Sequence, residues 1–320
     1  MKQKRVLIFA LVLLLAGILF MVWDMFFRKP EGSVNPYAFE MNALRAGDTL
    51  QAKFTEIQQI KPGLKGIHGV ATDLSDRIYV AGDRGVEIYD KTGKRENAFP
   101  VEGSARCIAV GRDGLIFLGM EDHLEIFSRE GKRLQSWKSC GADAFITSLA
   151  LTGDDIFIAD AGNKVVYRYD HSGKLQKRIG EKDPQKKIPG FIIPSPFFDV
   201  SVAHDGSLWV VNPGRHSFEK YSAGGDLLSS WGKASMAMDG FCGCCNPTHF
   251  AFLSDGSFVT SEKAIERVKV YSPNGDFTCI VATPGSFNEG TKGLDLAVDS
   301  KDRIVVLDPE RGQVRIFIKK

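Results

Sequence analysis

Three cysteines fall within four residues, Cys242, Cys244 and Cys245 in the stretch GFCGCCNPTHFAF, with His249 closing the same stretch. Thiolates with a nearby imidazole suit zinc, copper or an iron-sulfur centre, and Cys140 and Cys107 are the further thiols that such a metal site would draw in. Adjacent thiols can instead trade electrons, because a disulfide between neighbouring residues closes a strained and reducible ring. The chain has six cysteines, Cys279 being the last of them. An even count in an oxidising compartment also fits structural disulfides, with the loop tied to Cys140 or Cys279. These three readings stand side by side at the level of sequence.

The elements that must position these residues are legible as repeats. An apolar strand, a turn with Asp and Gly, a second strand, a polar turn and a third strand ending in an aromatic residue recur from Gly69, Cys107, Ser148, Asp199, His249 and Asp295. Gly93, Gly131, Gly173, Gly225 and Gly275 close successive copies at intervals of 38, 42, 52 and 50 residues. That spacing suits four-stranded propeller blades with insertions before the fourth and fifth. The last copy has only three strands before Lys320 and would leave an open edge. Residues 54–61, FTEIQQIK, are expected to supply the missing strand and complete the last blade.

The segment ADAGNKVVYRYDHSGK, Ala159–Lys174, resembles the NHL repeat, and the resemblance extends from about Phe54 to Lys320. It implies an all-β, six-bladed NHL-type β-propeller whose functional groups gather where inner strands begin, around a central channel. Asp199, Asp295 and His249 begin three of those strands, with His68 and Arg106 one position ahead of two others. Resemblance to propeller lyases and lactonases implies a metal held by His249, Asp199 and Asp295. Turns between second and third strands open on the same face and bring Arg215, His216, Glu262 and Lys263 to the rim, where an anion or an acidic partner could dock. The insert from Glu181 to Phe198 adds an apolar flap beside them.

Net charge is +2, which provides no field for nucleic acid and sets that partner aside. Lys2, Lys4 and Arg5 precede an apolar run from Val6 to Trp23. The run predicts a transmembrane signal anchor over 1–27 with the N-terminus inside, a tether over 28–52 and an extracytoplasmic, periplasmic propeller over 53–320. The whole then reads as a single-pass protein of the cytoplasmic membrane whose upper face serves as a binding or scaffold module for a protein partner. A propeller lyase or hydrolase with a metal in the channel is the alternative.

Overall fold

The computed structural model describes residues 2–27 and 51–320. The tether expected over 28–52 lies, apart from its last two residues, outside the described residues. The first unit carries one helix, α1 (Lys2–Phe27). Among the described residues no helix is long and apolar enough to cross a membrane. This corrects the expectation of a transmembrane signal anchor, and the single-pass periplasmic placement built on it falls too.

The second unit is all β. Strand β1 (Phe54–Ile60) precedes blade one, which is built from β2 (Ile67–Thr72), β3 (Ile78–Tyr89) and β4 (Arg95–Ser104). Blade two holds β5 (Cys107–Val110), β6 (Ile116–Gly119), β7 (Leu124–Phe127) and β8 (Arg133–Ser136). Blade three holds β9 (Ile146–Leu151), β10 (Asp155–Asp160), β11 (Val165–Asp170) and β12 (Leu175–Ile179). Blade four runs through β13 (Val200–Val202), β14 (Leu208–Asn212), β15 (Ser217–Tyr221) and β16 (Leu227–Gly232). Blade five has β17 (His249–Phe252), β18 (Phe258–Glu262), β19 (Arg267–Tyr271) and β20 (Phe277–Ala282). Blade six has β21 (Leu296–Val298), β22 (Ile304–Asp308) and β23 (Gln313–Lys319).

Neighbouring strands in each blade pair antiparallel. In blade one, β3 reverses at Arg84, whose φ is 61°; its first half pairs with β2 and its second with β4. The five glycines that close the repeats all have φ between 80° and 87°, a left-handed turn that other residues adopt only at a cost.

Strand β1 pairs antiparallel with β23, from Phe54 opposite Lys319 to Ile60 opposite Val314. It thereby becomes the outer strand of the last blade, in the sheet order β1-β23-β22-β21. Phe54 and Ile60 are buried on one face while Thr55, Ile57 and Gln59 point outward, the period-two pattern of a strand covered on one side. The closure is also ionic: Arg315 Nη2 meets Glu56 Oε2 at 2.6 Å and Nε meets Oε1 at 3.0 Å. That fork holds the Glu56 carboxyl below its ordinary range despite partial burial.

Candidate functional site

The starts of the inner strands converge on the axis. Cys107, Ser148, Asp199 and Asp295 line a channel of about 320 Å³. Each aspartate binds two backbone amides, one of them on the next blade. Asp199 accepts from Val200 N at 2.9 Å and from Phe250 N at 2.7 Å; Asp295 accepts from Leu296 N at 2.9 Å and from Val70 N at 2.8 Å. These carboxylates are staples between blades four and five and between six and one. Each of their four oxygens accepts one amide. The metal expected at His249, Asp199 and Asp295 is not carried by the geometry, since among the described residues no three such groups are placed to hold an ion, although the three do meet.

His249 Nδ1 lies 3.4 Å from Asp295 Oδ1 and 3.8 Å from Asp199 Oδ2, yet makes no hydrogen bond. Burial pushes the Asp199 carboxyl above its usual range. Burial likewise raises Asp295, to about 6, with His249 opposing the rise and Asp199 adding to it. Cys107, beside them, is pushed well up by burial and by the nearby Asp295 charge, so it is a neutral thiol of the channel wall.

Above the channel, on the upper face, His249 lines a second cavity of about 220 Å³ with His68, Arg106, Phe145, Phe197 and Lys292. Arg106 stacks over the Phe145 ring at 5.2 Å, and its Nε is buried without a hydrogen-bond partner. Phe197 meets the His249 ring edge-on at 6.0 Å. His68 Nε2 is held 3.0 Å from Asp83 Oδ1. Phe197 comes from the flap, whose Phe191 and Phe198 are instead buried against each other, with Phe191 also on Tyr221. The flap is therefore mostly packing, with Pro196 and Phe197 lining the cavity.

The cysteine loop is bolted to blade five from beneath. Glu262, Arg267 and Lys269 form a buried ionic cluster, with Lys269 Nζ 2.7 Å and Arg267 Nε 2.8 Å from Glu262 Oε1. Both cations reach up to the Gly240 carbonyl, Lys269 at 2.7 Å and Arg267 at 3.2 Å. Burial brings the Lys269 ammonium down to about 8. Asn246 continues the anchorage, donating to the Cys242 and Lys263 carbonyls and accepting from Lys263 N, while His216 Nδ1 lies 3.0 Å from the Asn246 carbonyl oxygen. Glu262 is thus a buried foundation of the loop, away from its expected place on the rim. Arg215 remains exposed on the short turn Pro213–Arg215.

The loop leaves Cys244 exposed and Cys245 buried, with their sulfurs 3.1 Å apart. Burial acts to raise the Cys245 thiol, but hydrogen bonds from Lys263, Ser195 and Cys244 outweigh it and set it below the ordinary range. Cys244 moves the other way, raised by its hydrogen bond to Cys245. Lys263 Nζ also reaches Ser195 Oγ at 2.9 Å and sits 4.9 Å over the Phe197 ring.

The remaining cysteines disperse. Cys242 faces the Glu262 cluster, Cys140 lies 3.9 Å from Tyr169 Oη, and Cys279 is buried in β20. All six are free, which corrects the disulfide reading. Among the described residues no three of His, Cys, Asp or Glu are placed to hold a metal ion. The zinc, copper or iron-sulfur site expected from Cys242, Cys244, Cys245, His249, Cys140 and Cys107 is corrected with it, because two strand starts and two loops carry those side chains and only Cys244 and Cys245 meet.

No family model and no curated protein matches the chain. Solved structures match its fold. Virginiamycin B lyase from Staphylococcus aureus superposes with a TM-score of 0.58 at 11% identity, covering 83% of this chain and all of that one. A protein of unknown function from Bacteroides thetaiotaomicron gives 0.59 at 12%, covering 83% of this chain and 72% of that one. A catalytically inactive histidine-to-alanine variant of the staphylococcal lyase, solved with quinupristin, gives 0.55 at 13%, with 83% and 88% covered. At such identities the likeness establishes a six-bladed propeller and nothing finer.

Proposed function

We propose that the upper-face cavity is an enzyme-type site for a small anion with an apolar or aromatic body, and that His249 exchanges a proton with it. One observation carries the reading. Two buried nitrogens without hydrogen-bond partners, Arg106 Nε and His249 Nδ1, belong to residues that line the same cavity. Buried polar atoms are almost always satisfied, so the orphaned Arg106 Nε is explained by a ligand that brings its partner, while His249 Nδ1 turns to the channel aspartates and leaves the rest of its ring at the cavity. Arg106, Lys292 and His68 supply positive or protonatable groups for a carboxylate, and Phe145 and Phe197 supply flat apolar walls. The similarity to a lyase that a single histidine-to-alanine change leaves catalytically inactive agrees with a histidine at the work of this fold.

Benzoate is the simplest probe with that chemistry. Calorimetric titration should show saturable binding that Arg106→Gln weakens about tenfold or more, the worth of one charge-assisted hydrogen bond. No saturable binding, or equal binding by Arg106→Gln, contradicts the reading. Binding without turnover is the second use of the same cavity, since Arg106 Nε serves either. His249→Ala separates them: a binding module keeps its whole function in that variant once affinity is matched, whereas an enzyme loses turnover.

A further inference from the structure

We propose that Cys244 and Cys245 form a thiol-disulfide exchange site that reduces small disulfides carrying both carboxylate and ammonium groups. The site adjoins the cavity of His249, sharing Lys292 with it, but its chemistry uses none of the groups proposed to act there and its test is independent of that reading.

Three observations converge. The two sulfurs are already within 3.1 Å of each other, one exposed and one buried, so one can meet a substrate while the other waits to resolve it. Lys263 and Ser195, joined to each other at 2.9 Å, act on the buried thiol and hold it below its ordinary range, a cationic and donor setting of the kind that stabilises a thiolate. The loop is not left to wander, since the buried Glu262, Arg267 and Lys269 cluster and the Asn246 bonds hold it on both sides of the pair. Packing alone does not account for Cys244, which is exposed and lines a hollow of about 480 Å³ with Lys263, Glu266, Glu289 and Lys292. Glu266 is buried with its Oε1 on the Gly290 amide, but Lys263, Lys292 and the exposed Glu289 around one thiol suit a zwitterionic, peptide-like disulfide better than a simple anion.

The chemistry balances within the pair and its substrate. The exposed Cys244 thiol passes its proton to the Cys245 thiolate as its sulfur attacks R–S–S–R, forming Cys244–S–S–R and releasing RS⁻. The Cys245 thiol then gives that proton to the released thiolate, attacks the Cys244 sulfur and expels the second RS⁻. The sum is Cys244–SH, Cys245–S⁻ and RSSR converted to the Cys244–Cys245 disulfide, RSH and RS⁻. Two electrons pass from the protein to the substrate. The ring closed by adjacent residues is strained and readily reopened, so an external dithiol can restore the site. Lys263 is a positioning residue: it touches Cys245 and takes no part in bond exchange.

Glutathione disulfide is the probe, reacted with the reduced full chain and followed by thiol counting and intact mass. Wild type should lose two thiols and release two equivalents of glutathione without a lasting adduct. Cys245→Ser should stop at one glutathione held on Cys244, and Cys244→Ser should not react at this loop. Lys263→Met should slow the first step about tenfold, with Lys263→Arg restoring it, and this pair carries the test if Cys245→Ser does not fold. A stable glutathione adduct on wild type overturns the proposal, as does an unreactive Cys244 or a Lys263→Met rate equal to wild type.

Discussion

Asp295 shows how one side chain serves both ring and site. It stitches blade six to blade one through Val70 and faces His249 at 3.4 Å. Burial lifts its carboxyl from an ordinary 3.8 to about 6. The folded protein therefore keeps a proton that the unfolded chain has released. The resulting stability is fully present below about pH 4 and is lost as the pH rises through about 6. Denaturant titrations of wild type and Asp295→Asn should diverge across that window, wild type losing about 3 kcal/mol relative to the variant between pH 4 and 7. Parallel profiles would place the proton elsewhere. His249, Asp199 and Asp295 were legible because the repeat fixes which residue starts each inner strand. The unsatisfied Nε of Arg106 was not, since sequence marks the position and says nothing of which donors go unmatched.

At the scale of elements, the turn after β18 splits two neighbours that a sequence reading puts together. Glu262, the last residue of β18, turns into the Arg267 and Lys269 cluster, while Lys263, the first residue of the turn, reaches Ser195 beside Cys245. What the sequence lacked was the depth of the insert between β16 and β17, whose Gly240 carbonyl recruits both buried cations. Removing the shared anion leaves two cations buried together, so Glu262→Gln should cost about 3–5 kcal/mol, read as a lower midpoint in urea. A change below 1 kcal/mol would mean that the loop does not depend on this foundation. The dispersal of Cys107, Cys140 and Cys279 has the same origin: spacing along the chain counts cysteines, but blade geometry decides which ones meet.

Across the whole molecule, six similar sheets close by exchange of one strand, and identical turn glycines made that ring readable before any coordinate. The apolar N-terminal run was readable too, but its meaning as a membrane anchor did not carry over to the described helix. Likeness to lyase structures at 10–13% identity shares the ring with them and leaves the chemistry to local geometry. That geometry centres on the cavity where the Arg106 and His249 nitrogens lack partners. The most direct measurement is a benzoate titration followed by NMR at the histidine rings, with His249 assigned by its loss in His249→Ala. The account predicts that the His249 ring signals move saturably with benzoate and that Arg106→Gln shifts the midpoint to about tenfold higher concentration. Histidine signals that stay still, or that move only at His171 or His204 outside this cavity, would contradict it.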